Sequence, residues 1–153
     1  MKALFLDRDG VINIDKGYVH RIDDFEFVPG IFEFCQRAEQ KGFAIFVVTN
    51  QSGIGRGYYS ENAFNELTQW MCEAFAAKGV NIRHVYYCPH HPREAKGRYL
   101  KEWDCRKPKP GMLLQAIEQF GINSDQSLMV GDSETDIAAA NAARVRGVKV
   151  ESG

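Results

Sequence analysis

The chain has 153 residues, 44% of them hydrophobic and 25% charged, with a formal net charge of −1. That is enough chain for a single domain over 1–153 with a buried core, in the composition range of soluble globular proteins, and it excludes disordered and fibrous classes. The near-balance of charge disfavours nucleic acid as a partner, and no apolar run approaches the length of a membrane span.

The first strand is predicted over 3–6, a buried apolar run that ends at Asp7 and Asp9. Because Asp7 and Arg8 interrupt that run at once, it is no signal peptide, and a cytoplasmic protein is expected. Two carboxylates at a strand end are costly to bury and call for a cation, a proton or a substrate. They also suit nucleophilic and acid–base work, although either residue alone could be an ordinary turn or cap.

A helix is predicted over 30–41, with Ile31, Phe34, Cys35 and Ala38 on its apolar face and Gly42 as its stop. The next strand, over 43–48, runs into Thr49-Asn50-Gln51-Ser52-Gly53, a polar turn whose hydroxyl, amide and backbone N–H groups could cradle a phosphate. Taken alone, this run reads better as a plain turn. Ser60 is predicted to cap a long helix with Phe64, Leu67, Met71 and Phe75 as its stripe, closing at Gly79.

A third strand is expected over 82–87 and is followed by an aperiodic stretch from Pro89 to Pro110. A stretch of that length without periodicity points to a functional or metal-tied loop, here over 88–107. Within it, Arg106 and Lys107 place two cations before a helix that Pro110 opens and Gly121 closes. The fourth strand, over 127–130, leads to Gly131 and Asp132, and a last helix starts at Ser133 or Glu134 and runs through Ala143. Asp132 is placed to hold a hard divalent cation, with Asp136 one turn later steadying it, though N-capping explains the same residues. A fifth strand is expected over 148–150.

Alternating strands and helices with continuous apolar strands predict an α/β fold around a central parallel sheet. Polar residues cluster after three strand ends, the edge where open α/β sheets bind ligands.

In this order and at these strand ends, the four motifs resemble the haloacid dehalogenase (HAD) superfamily of phosphohydrolases. The resemblance implies a HAD-like Rossmannoid three-layer sandwich without a large cap domain. It also implies Asp7 as nucleophile, Asp9 as acid/base, and Thr49 and Lys107 as phosphoryl contacts. Mg²⁺ would be held by Asp7, Asp9 and Asp132, with Asp136 in support. Gly17-Tyr18-Val19, the run from Asp24 to Gly30, the run from Thr49 to Gly57, Cys88-Pro89-His90-His91-Pro92 and Cys105-Arg106-Lys107-Pro108 further resemble the D-glycero-D-manno-heptose 1,7-bisphosphate 7-phosphatase family. A small phosphorylated sugar is then the expected substrate of a monomeric enzyme, with Asn50, Ser52, Arg106 and Arg56 as its contacts.

Histidinol-phosphate phosphatases share the four motifs. Polynucleotide 3′-phosphatases and a non-catalytic phosphate-binding module are the remaining alternatives. Members of the resembled family bind structural Zn²⁺ through a Cys-x-His and a Cys-x-Cys pair. Cys88, His90 and Cys105 supply three of those ligands, but Trp103 stands in place of the fourth, leaving His91, Asp104 or a water to complete a zinc site. The chain also ends about where its fifth strand finishes, where relatives continue.

Overall fold

The computed structural model describes residues 1–91, 93, 95–100 and 105–153. Trp103 and Asp104, named above in connection with zinc, lie outside the described residues. The strands are β1 (Lys2–Leu6), β2 (Phe43–Asn50), β3 (Ile82–Cys88), β4 (Leu128–Gly131) and β5 (Arg146–Lys149). They form one parallel sheet in the order β3-β2-β1-β4-β5. The helices are α1 (Ile31–Gln40), α2 (Ser52–Gly55), α3 (Glu61–Ala77), α4 (Gly111–Phe120) and α5 (Glu134–Ala142).

Strand periodicity sorts the core into two layers. Ala3 and Phe5 of β1, with Phe46, Val48 and Met129, face Met112, Leu113 and Ala116 of α4 and Ala139 and Ala140 of α5. Leu4 and Leu6 alternate to the other side and, with Ile45, Val47 and Val130, meet Ile31 and Cys35 of α1 and Leu67, Met71 and Phe75 of α3. Both faces of the sheet are thus covered, which is why these strands read as unbroken apolar runs rather than alternating ones. The result is the three-layer α/β sandwich with a central parallel sheet that the sequence predicts.

Local chemistry sets the helix ends. The Ser60 hydroxyl accepts from the Ala63 N–H at 3.0 Å, and Gly121 closes α4 in the left-handed conformation at φ 65°. Ser133, rather than Asp132, caps α5, and with Asp136 it forms a capping box. That leaves the Asp132 carboxylate available for other work.

Three expectations change in detail. Phe34 is 45% exposed rather than on the apolar face of α1, where Phe32 packs against the core in its place. The spacing rule allows either residue, and the aromatic cluster of Phe27, Phe32 and Phe75 draws the stripe toward Phe32. The fifth strand begins earlier than expected, at Arg146, as an exposed edge strand without an apolar run. Of the phosphate-cradle run, Thr49 and Asn50 end β2 while Ser52 and Gly53 open the one-turn helix α2, so it is no plain turn.

The strand order reverses at β1, whose neighbours are β2 and β4. The crevice outside the carboxyl ends of these strands is the topological switch point. Asp7 is held there by its own backbone, since its N–H donates to the Val130 carbonyl at 3.1 Å.

Candidate active site

An open cavity of about 460 Å³ lies at that edge, lined by Asp7, Asp9, Asn50, Gln51, Ser52, Lys107, Asp132 and Asp136 together with Asp15, Tyr18 and Tyr59. Residues from four separate segments meet in it, which accounts for their wide separation in the chain.

Lys107 is the pivot. It is 3% exposed, and its Nζ donates to Asp7 Oδ1 at 3.0 Å, Asp136 Oδ1 at 2.5 Å and the Val48 carbonyl at 3.1 Å. Burial works against the ammonium, but the charges of Asp7 and Asp136 outweigh it and hold Lys107 above the ordinary lysine value. For Asp7 the balance falls the other way. Burial pushes its carboxyl up to about 7, Lys107 pulls it down, and Asp136 pushes it up again. One cation is therefore shared between two buried carboxylates, and Asp132 adds a third beside them. All three ammonium hydrogens are engaged, so a phosphoryl oxygen reaching Lys107 must share the Asp7 or Asp136 contact.

Asp136 is fully buried and saturated: its Oδ2 accepts from the Asp132 N–H (3.1 Å), the Ser133 N–H (3.3 Å) and the Ser133 hydroxyl (3.1 Å). It fixes the Asp132 loop while anchoring Lys107. Oxygens of Asp7, Asp132 and Asp136 lie within 4.8 Å of one another. Two glycines make that approach feasible. A Cβ on Gly10 would sit 2.0 Å from Asp132 Oδ2, and one on Gly131 would sit 2.3 Å from the Asp136 Cβ. Gly10 also has φ +89°, a conformation other residues resist. This excess of hard oxygen donors over positive charge fits Mg²⁺, which takes few protein carboxylates and keeps several waters.

Asp9 is oriented from two sides. Arg8 Nη2 and Nε donate to Asp9 Oδ1 at 2.8 and 3.3 Å, and Asn13 Nδ2 adds a third donor at 3.0 Å. Arg8 is itself 1% exposed and donates to the Val19 carbonyl at 2.7 Å. Asp9 Oδ2 accepts from Gln51 Nε2 at 3.1 Å. Arg8 and Tyr59 were not among the candidates drawn from the sequence, and Gln51 entered only as a member of the phosphate-cradle run. The signal for Arg8 was a charge wedged between two carboxylates at the end of a buried strand, which needs a buried partner.

The remaining candidates divide. Thr49 is buried and lies outside the cavity lining, with its Oγ1 accepting from Gln51 Nε2 at 3.0 Å. Asn50 lines the cavity, but its amide is occupied in clamping Lys107: Nδ2 donates to the Lys107 carbonyl at 3.2 Å, and the Lys107 N–H donates to Oδ1 at 3.0 Å. Ser52 lines the cavity, whereas Arg56 and Arg106 are not among its lining residues. The Arg56 guanidinium lies 5.5 Å from the Tyr18 ring centroid.

At the zinc candidates the structure departs from expectation. Cys88 and Cys105 are joined as a disulfide, so neither sulfur is a thiolate. A thiolate is what zinc coordinates. The bond ties the end of β3 to the segment that carries Lys107, so the 88–107 loop is closed covalently. His90 stands nearby, with its ring 5.9 Å from that of Tyr99.

The chain is similar to known phosphatases. A relative from Pasteurella multocida, a D-glycero-beta-D-manno-heptose-1,7-bisphosphate 7-phosphatase, is 52% identical over 145 residues, covering 95% of this chain and 78% of that protein. The chain belongs to this family. The Escherichia coli K12 enzyme of the same name is 50% identical, covering 97% of this chain and 77% of its own. The HAD-hydrolase-like family model matches residues 104–153, the part carrying Lys107 and Asp132. Among solved structures, the D,D-heptose 1,7-bisphosphate phosphatase from B. bronchiseptica, complexed with magnesium and phosphate, superposes with TM-score 0.86 at 31% identity, covering 100% of this chain and 82% of that one. A HAD-like phosphatase from Mesorhizobium loti gives TM-score 0.90 at 35% identity, covering 96% and 71%. Membership makes the chain a phosphoric monoester hydrolase of HAD type.

Proposed function

We propose that the chain removes the 7-phosphate of D-glycero-D-manno-heptose 1,7-bisphosphate through a phospho-aspartate on Asp7. The observation that carries this reading is the meeting of Asp7, Asp9, Lys107 and Asp132 at the switch point, in a chain half identical to enzymes of that name.

Asp7 attacks phosphorus in line with the departing sugar oxygen. Its Oδ1 already takes the Arg8 N–H at 2.8 Å and Lys107, which leaves Oδ2 as the oxygen without a donor among the described residues. Asp9 protonates the leaving oxygen, then takes a proton from the water that cleaves the acyl phosphate. Lys107 and the Thr49 hydroxyl stabilise the transferring phosphoryl oxygens, a largely electrostatic task. Asp7, Asp132 and the Asp9 carbonyl would hold Mg²⁺, with Asp136 in support. The metal supplies positive charge that lets an anionic nucleophile approach an anionic ester. Ser52 meets the substrate from the cavity wall, and Asn50 serves by fixing Lys107. Arg106 and Arg56, which are not among the residues lining the cavity, are proposed for the second phosphate. Zinc at Cys88, His90 and Cys105 would require the disulfide to be open, so zinc content is to be measured on reduced protein.

Metal removal is the first test. With a chelator in excess, phosphate release from the bisphosphate falls to background, and added Mg²⁺ restores it; turnover that survives chelation refutes the metal assignment. The second test compares kcat/KM for heptose 1,7-bisphosphate, histidinol phosphate and a 3′-phosphorylated oligonucleotide, with the bisphosphate expected to lead. A tenfold preference for histidinol phosphate, about 1.4 kcal/mol in transition-state binding, would overturn the substrate assignment and leave the phosphatase chemistry standing.

A further inference from the structure

We infer that Gln51, set in place by Tyr59, is a positioning residue that aligns Asp9 for proton transfer to the leaving oxygen. This rests on the proposed role of Asp9.

The argument begins with one amide. Gln51 is 3% exposed, yet every polar atom of its side chain is used. Nε2 donates one hydrogen to Asp9 Oδ2 at 3.1 Å and the other to Thr49 Oγ1 at 3.0 Å, while Oε1 accepts from the Tyr59 hydroxyl. The ionised form of Asp9 only accepts, so the NH₂ end faces it and the oxygen faces the Tyr59 hydroxyl. The orientation is therefore set by chemistry.

Tyr59 is suited to its part. Burial pushes its hydroxyl up to about 12, so it stays a donor. Its ring stacks on His20 at 4.8 Å and 4°. It reaches Gln51 across Gly53, where a Cβ would come within 2.3 Å of the Tyr59 ring. The absent side chain at Gly53 is thus what lets the ring approach.

The consequence for Asp9 is directional. Arg8 and Asn13 grip Oδ1. That grip leaves Oδ2 as the oxygen with room for a proton, and Gln51 determines where Oδ2 points.

The test uses the leaving group. A sugar alkoxide must be protonated as it departs, whereas p-nitrophenolate leaves without help. A misaligned acid therefore slows sugar-ester cleavage and spares the aryl ester. The comparison uses kcat/KM, which reports steps up to formation of the phospho-aspartate. Positioned acids contribute about 10²- to 10⁴-fold, so Gln51→Met is expected to lower the sugar-to-aryl ratio by roughly 10- to 100-fold. Tyr59→Phe, which keeps the ring on His20, is expected to lower it in the same direction by a smaller factor. Retained aryl phosphatase activity shows that the variants fold. A ratio unchanged in both variants, whatever the absolute rates, overturns the positioning role. A parent protein that cleaves neither ester overturns the proposed function instead.

Discussion

Asp7→Asn is expected to abolish turnover of both the heptose bisphosphate and a generic aryl phosphate, by a factor on the order of 10⁴ to 10⁶, as removing a covalent nucleophile does elsewhere. Unlike loss of the acid, this loss does not depend on the leaving group, because the amide cannot form the acyl phosphate from either ester. Appreciable turnover with both would rule out Asp7 as nucleophile. The same substitution has a second, opposite effect. In metal-free protein with Asp7 ionised, Lys107 faces two buried carboxylates and the trio carries one uncompensated negative charge. The Asp7 pKa is raised to about 7 by burial, so the folded state binds a proton that the unfolded state has released. A carboxyl raised in this way costs nothing below its unfolded pKa, and the cost grows as pH rises towards the folded value. Without metal, Asp7→Asn should therefore melt at the same temperature as the parent near pH 4, and above it by pH 8. Mg²⁺ added to the parent should narrow that gap. A difference in Tm that does not change with pH would refute the charge argument.

The residues that the sequence made visible share one property: their chemistry is anomalous where they stand. Two carboxylates after a buried apolar run, an aspartate after the short strand before α5 and a lysine in a proline-rich segment are each costly unless something pairs them. The fold then brings them together, with Lys107 between Asp7 and Asp136. The fold itself was legible because strands buried on both faces read as unbroken apolar runs, and because Gly and Ser mark the ends of α3 and α4. Gln51 and Tyr59 were not legible. Glutamine and tyrosine are unremarkable in a polar turn, and their importance comes from a contact across Gly53 that no spacing rule encodes. Arg8 escaped notice for a related reason, since its partner Val19 is set by a loop path rather than by periodicity. The edge strand β5 was misplaced because an exposed strand carries little apolar signal. The Cys88–Cys105 bond could not be distinguished from a metal pair, since both uses bring two sulfurs together.

Lys107→Met should be the most destabilising of these changes. Methionine matches the length and apolar stem of lysine, so little cavity results, and the cost is electrostatic. Removing one partner from a buried ion pair costs about 3 to 5 kcal/mol, because the charges left behind have no compensation. Here two carboxylates are left behind, with Asp136 fully buried on the helix that carries it. A loss of that size is a large part of the roughly 5 to 15 kcal/mol that holds a domain folded. The sign with pH is fixed. Without the ammonium, the pull that lowers the Asp7 carboxyl is gone, and burial holds it further above its unfolded value. The penalty then grows as pH rises from the unfolded carboxylate range through the folded Asp7 value, and recedes as pH falls. Urea unfolding at pH 8 and pH 5 should therefore show a deficit against the parent that shrinks at the lower pH. Arginine is no substitute: its fork is wider and cannot take the three converging acceptors that a single Nζ satisfies in a site 3% exposed. Lys107→Arg should thus fail to restore either stability or phosphate release. A Lys107→Met protein as stable as the parent at pH 8 would mean that Asp7 and Asp136 do not both carry charge in the folded state, and that Lys107 serves the phosphate alone.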